Sequence, residues 1–169
     1  MTGLALGSLA LGILGTVSAA ATEKPLPAGP HPSHIAKMVC QAEAQKEMAD
    51  ALGLKATVAD DSWADHRYTC DYVYPTGRFV LSVQEESSWS ETYAYYHALG
   101  RRLGKARTLA NLGQGAFQTT DGSVVVRKDW KVLLVNISGL PAQFAVPPTS
   151  PANVAVTVAD VILGCWDGD

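Results

Sequence analysis

A concentrated basic surface is the first thing missing from this sequence. Thirteen Lys and Arg stand against sixteen Asp and Glu, a net charge of −3 with a pI near 5.8. Nucleic-acid binding draws its affinity from clustered cations that release phosphate counterions, so no nucleic-acid partner is expected. The one basic cluster, Arg101, Arg102, Lys105 and Arg107, reads as the positive last turn of a helix, placed to complement its dipole. Local catalytic signatures are missing too: there is no H-E-x-x-H, G-x-S-x-G, Walker loop or C-x-x-C, and no catalytic residue is nominated. His31 and His34 straddle a proline-rich stretch and would need ligands from elsewhere to share a metal. Asp60, Asp61 and Asp65 lack the turn glycine and closing glutamate of a calcium loop. Gly113 and Gly115 sit between a helix and a strand, the wrong order for a dinucleotide site. Glu85 and Glu86 alternate faces at a strand end and read as solvated. Neither metal nor cofactor is expected. No internal repeat is visible, and 169 residues at 47% hydrophobic suit one core better than two.

Cysteine is scarce, and the three present gain meaning from the N-terminus. Leu4 to Ala21 (LALGSLALGILGTVSAAA) carries no charge and ends in small residues suited to cleavage after Ala19 or Ala21, which predicts a secretory signal over residues 1–21. No Lys or Arg precedes it. An uncleaved membrane anchor is the alternative, and the only route by which a membrane would become a partner. Residues 22–33 form a proline-rich linker, residues 34–166 a single domain and residues 167–169 a tail. Export places the chain in an oxidising compartment, where two of the three cysteines are expected to pair. Cys40 with Cys70 is the preferred pair, because helix-to-strand packing brings their Cα atoms into disulfide range. Cys165 is left over, read first as a small buried residue of the last helix and next as a partner in an alternative disulfide or an intermolecular pairing.

The predicted architecture is α+β, in the order α-β-β-α-β-β-β-α, with an antiparallel sheet of about five strands and the helices on one face. Ser33 caps a helix running to about Leu52 and stopped at Gly53. Lys55 to Asp65 is an acidic loop with a short extended piece at Thr57 to Ala59. Arg67 to Gln84 is a hairpin: a four-residue loop, Tyr74 to Gly77, places Tyr72 opposite Phe79, Cys70 opposite Leu81 and Tyr68 opposite Val83, with Gly77 supplying a positive φ. Ser88 and Glu91 make a capping box for a helix anchored by Trp89, Tyr93, Tyr96 and Leu103, an aromatic stripe that reads as core or as the lining of a ligand pocket. Ala116 to Thr119, Ser123 to Arg127 and Trp130 to Ile137 form a three-stranded meander with Asp121 and Gly122 as its first, two-residue turn. Ser150 and Pro151 open a last helix with Val154, Val158, Val161, Ile162 and Cys165 on one stripe.

Cys40 on the first helix, Cys70 followed by Tyr72 on the first strand, and the turn Leu112, Gly113, Ala116, Phe117 into a strand pair are together similar to the small exported lipoproteins of actinobacteria. That family has no known function and is similar to some extracytoplasmic sensor domains. The resemblance spans residues 34–165 and implies a helix-flanked antiparallel sheet with one disulfide; it transfers no catalytic residue. This chain departs from it in having no cysteine after the apolar run to carry a lipid. The functional expectation is an exported, non-enzymatic domain that binds a small molecule or a protein outside the cytoplasm, with Tyr72, Trp89, Tyr93 and Tyr96 as ligand-binding candidates. Two alternatives stand beside it: a hydrolase whose site is assembled from distant residues around His97 or His66, and a structural or inhibitory partner protein.

Overall fold

Residues Arg67–Tyr74 and Gly77–Glu85 pair in the register that their alternating apolar residues set: Tyr72 faces Phe79, Cys70 faces Leu81 and Tyr68 faces Val83. In the computed structural model, which describes residues 28–167, this hairpin forms the second and third strands of a seven-stranded sheet. The apolar run 4–21 and the linker up to residue 27 lie outside the described residues, and so do the signal-peptide and anchor expectations. In chain order the elements are α1 (His34–Met38), α2 (Ala42–Leu52), β1 (Thr57–Ala64), β2 (Arg67–Tyr74), β3 (Gly77–Glu85), α3 (Trp89–Leu103), β4 (Lys105–Leu109), β5 (Gly115–Thr119), β6 (Val124–Lys128), β7 (Lys131–Gly139) and α4 (Pro151–Asp167).

The sheet order is β1-β2-β3-β7-β6-β5-β4, antiparallel at every pairing. Two meanders, β1 to β3 and β4 to β7, therefore meet where β3 pairs with β7. α3 carries the chain from the middle of the sheet to its far edge.

Seven strands replace the expected five, and each addition has a physical reason. Among the described side chains of β1, Val58 and Trp63 pack on the core, five residues apart, and an irregularity between Ala59 and Ser62 lets both reach the same face. A bulge of this kind erases the period-two pattern that would announce a strand. Asp65 and His66, both with φ above +50°, then make a two-residue turn of the kind that fits the strand twist. β4 is a charged edge strand with one half-buried residue, Leu109, which hides it as a strand but keeps the edge from pairing elsewhere. Lys105 and Arg107 belong to it, leaving only Arg101 and Arg102 in the last turn of the preceding helix.

The expected first helix is two helices. Val39, wholly buried, and Cys40 form a corner, and the Gln45 side-chain amide donates to the Cys40 carbonyl at 2.7 Å. The Cys40–Cys70 disulfide ties this corner to β2 with Cα atoms 5.7 Å apart, while Cys165 stays outside it. Gly53 ends α2 in the left-handed conformation, as its position predicts. Gly77 is needed for a different reason than positive φ: a Cβ there would lie 2.7 Å from the Gly139 carbonyl oxygen, so β7 could not approach. The β5–β6 loop spans Thr120 to Gly122, closed by the Thr119 N–H on the Ser123 carbonyl, one residue longer than expected.

Helices cover both faces of the sheet, not one. Tyr72, Phe79, Leu81, Val83, Leu133, Val135, Val124 and Val126 pack beneath α1, α2 and α4, and α4 inserts Val154, Ala155, Val158, Ala159 and Ile162 there. The opposite face of β5, β6 and β7 presents Phe117, Val125 and Val132 to α3. Consecutive buried residues, Val124 to Val126 and Val132 to Leu133, are the sequence trace of this two-sided burial. The α3 side of β2 and β3 carries Thr69, Asp71, Val73, Arg78, Val80 and Ser82, half-buried or exposed.

Candidate functional site

α3 begins where Ser88 Oγ accepts the Glu91 N–H at 3.2 Å, and the Glu91 carboxylate accepts the Ser87 N–H at 3.1 Å, a capping box displaced by one residue on its return arm. Gly104 closes the helix with φ 72°. Its buried stripe is Thr92, Tyr96 and Leu99, with Leu103 packed at the margin. Trp89 and Tyr93 do not anchor the helix as the aromatic stripe suggested: they are 47% and 54% exposed.

What these two rings hold is Arg127 of β6. Its guanidinium carbon lies 5.3 Å from the Trp89 ring centroid and 5.6 Å from that of Tyr93, geometry that attracts a cation to the negative ring faces. Arg127 Nη1 and Nη2 donate to the Gln114 side-chain and backbone oxygens at 3.3 and 2.9 Å, while Nε is buried without an acceptor. Among the described residues Arg127 has no carboxylate partner. Tyr96 lies beneath, edge-on to Phe117 at 5.1 Å; burial pushes its phenol up, and nearby Arg127 opposes the shift. His97, exposed, meets Tyr93 at 4.2 Å and Tyr96 at 5.5 Å.

Three of the four ligand-binding candidates, Trp89, Tyr93 and Tyr96, thus come together, and the fourth does not join them. Tyr72 sits on the other face of the sheet, fully buried and stacked on Phe79 at 5.0 Å, and its hydroxyl donates to the Val39 carbonyl at 2.6 Å. Burial raises its phenol far above the ordinary range. Sequence reading missed Arg127 and Gln114. The signal for Arg127 was present: a cation placed two residues after Val125 on a strand belongs on the same face. Gln114 comes from a loop and left no such trace.

Other polar groups serve the fold. Glu85, expected to be solvated, is buried with Lys131: their side chains are 4% and 7% exposed and 3.5 Å apart. Glu85 also accepts from the Ser33 hydroxyl and, at 3.0 Å, from its N–H, fastening the start of α1 to β3. Burial, with Glu91 nearby, raises the Glu86 carboxyl. His66 is exposed in the β1–β2 turn, edge-on to Trp63. A half-open depression of about 380 Å³ lies between residues 109–112 and Val156, Thr157 and Asp160 of α4, away from the aromatic cluster. Among the described residues no three His, Cys, Asp or Glu side chains gather around one point, and no helix is long and apolar enough to cross a membrane.

No family model, curated protein or solved structure matches the chain.

Proposed function

We propose that this chain is an exported, non-catalytic domain that binds its partner outside the cytoplasm through the outer surface of α3. The carrying observation is the half-exposed pair Trp89 and Tyr93 around a guanidinium that, among the described residues, has no carboxylate at ion-pair distance and meets Asp129 only through the Gln114 side chain. Tryptophan, tyrosine and arginine are the side chains that dominate binding hot spots, since each combines apolar area with a polar or cationic handle. The Cys40–Cys70 disulfide fits an extracellular location, and the signal-like run Leu4 to Ala21 supports the same compartment.

Hydroxyl-radical footprinting of the full chain, alone and within the extracytoplasmic fraction of its producing cells, tests this reading. Trp89 and Tyr93 should lose reactivity in that fraction while exposed Val73 does not. Unchanged reactivity, or retention of the chain in the cytoplasm, would overturn it.

A further inference from the structure

The geometry points to an acidic amphipathic helix of another polypeptide as the occupant of this surface, an inference that rests on the function just proposed and names its partner. Charge and shape support it separately. Along α3 the exposed cations Arg101 and Arg102 lead to exposed Lys105, and Arg127 lies at the other end of the helix beneath Trp89. Among the described residues none of these four forms a salt bridge, and the one acid on α3, Glu91, spends its carboxylate on the Ser87 N–H. Glu91 keeps its charge while accepting that bond, so α3 and the cations beside it carry four positive charges against the one carboxylate of the helix, in a chain whose net charge is −3. Guanidinium carries five N–H donors in a fixed fork, and the Gln114 oxygens engage two of them, so Arg127 retains donors for a carboxylate.

Shape selects a helix. Trp89, Tyr93, His97 and Arg101 recur at i+4 and form a ridge, all exposed. Beside it runs the row Ser90, Ala94, Ala98 and Arg102, also exposed, whose first three small side chains leave a furrow. A ridge of i+4 residues beside an i+4 furrow is the surface that receives the ridge of a second helix. From Trp89 to Arg101 it extends about 18 Å, room for about three turns. Aliphatic side chains of the partner would enter the furrow while its carboxylates reach Arg127 at one end and Arg101 and Arg102 at the other. A second copy packed through the same face of α3 would bring cations onto cations. A polyanionic glycan would use the charges but not the furrow.

Fluorescence anisotropy of a labelled model helix with a leucine row flanked by glutamates, titrated with the full chain, tests this. The helix should bind, and bind about tenfold more weakly when its glutamates are replaced by glutamine. Arg101→Glu with Arg102→Glu, both exposed, should weaken it by about tenfold or more, as should Trp89→Ala, and added salt should loosen the complex. Arg127→Lys keeps the charge and loses the fork, and should give an intermediate loss; Val73→Ala, on the uncovered part of the sheet, should change nothing. Equal binding of the glutamine helix, a sulfated polysaccharide that binds more tightly and in a Trp89-dependent way, or self-association through α3 would each overturn the helix assignment. Footprint protection of Trp89 without binding of the model helix would overturn this inference and leave the broader function standing; loss of both would end both.

Discussion

Tyr72 and Tyr93 are the same side chain on opposite sides of one sheet, and they serve opposite ends. Tyr72 lies under α1, α2 and α4, stacked on Phe79, with its hydroxyl spent on the Val39 carbonyl. Tyr93 stands on the outer flank of α3, more than half exposed, against Arg127 and His97. Full burial of a large apolar side chain contributes about 1.5–3 kcal/mol, so Trp89 and Tyr93 each leave roughly 1 kcal/mol unrealised in the isolated chain. The first face specifies the fold. The second keeps apolar area and cationic charge available to something else.

The sharpest contrast is expected between Phe79 and Val73. Phe79→Ala should destabilise the chain by about 3–5 kcal/mol, because it empties a fully buried site between the rings of Tyr72 and Tyr74. Val73→Ala, on the opposite face and 37% exposed, should stay within about 0.5 kcal/mol in the same urea titration. Similar losses would mean that the two sides of the sheet are equally covered in solution. Removing the disulfide with Cys40→Ala and Cys70→Ala should cost about 3.5 kcal/mol for cysteines 30 residues apart. Intact-mass analysis should count one alkylated thiol before reduction and three after it. Three before reduction would remove the tie between the α1–α2 corner and β2.

Phenylalanine at the two tyrosines isolates the hydroxyls. Tyr72→Phe leaves the buried Val39 carbonyl without its donor and should cost about 1–2 kcal/mol, whereas Tyr93→Phe should leave stability unchanged. The same burial is read in the alkaline limb. Burial pushes the Tyr74 phenol up to about 12, and Tyr72 further, against about 10 in the unfolded chain. A raised phenol pKa means the folded state holds its protons more tightly. The stability it contributes is present below about pH 10 and declines as pH rises toward 12. Denaturation midpoints across that range should fall, and Tyr74→Phe should flatten the slope.

Elements whose signal is local were legible in the sequence. The hairpin register followed from alternation between Tyr68 and Val83, the start of α3 from Ser88, and the start of α4 from Ser150 and Pro151. Illegible were the features that depend on distant partners. β4 has almost no buried residue and becomes a strand only because Ala116 and Phe117 offer an edge. The corner at Val39 to Gln41, where Val39 is wholly buried, interrupts a run whose composition favours one continuous helix. The aromatic cluster was half visible: the spacing of Trp89, Tyr93 and Tyr96 marked one helix, but not which side of it would be left bare.

Taken alone, then, the sequence determined the α+β class, the pairing of β2 with β3, the starts of α1, α3 and α4, the stop of α2 at Gly53 and the preferred cysteine pair, since these rest on turn chemistry, side-chain periodicity and steric range. Tertiary structure decided that α3 crosses to the opposite face, that Tyr72 parts from Trp89 and Tyr93, and that Arg127 comes to rest beside those rings. Periodicity records that a residue has a buried side but not which element buries it. That assignment is made only when β3 closes on β7 and the sheet acquires two faces to fill.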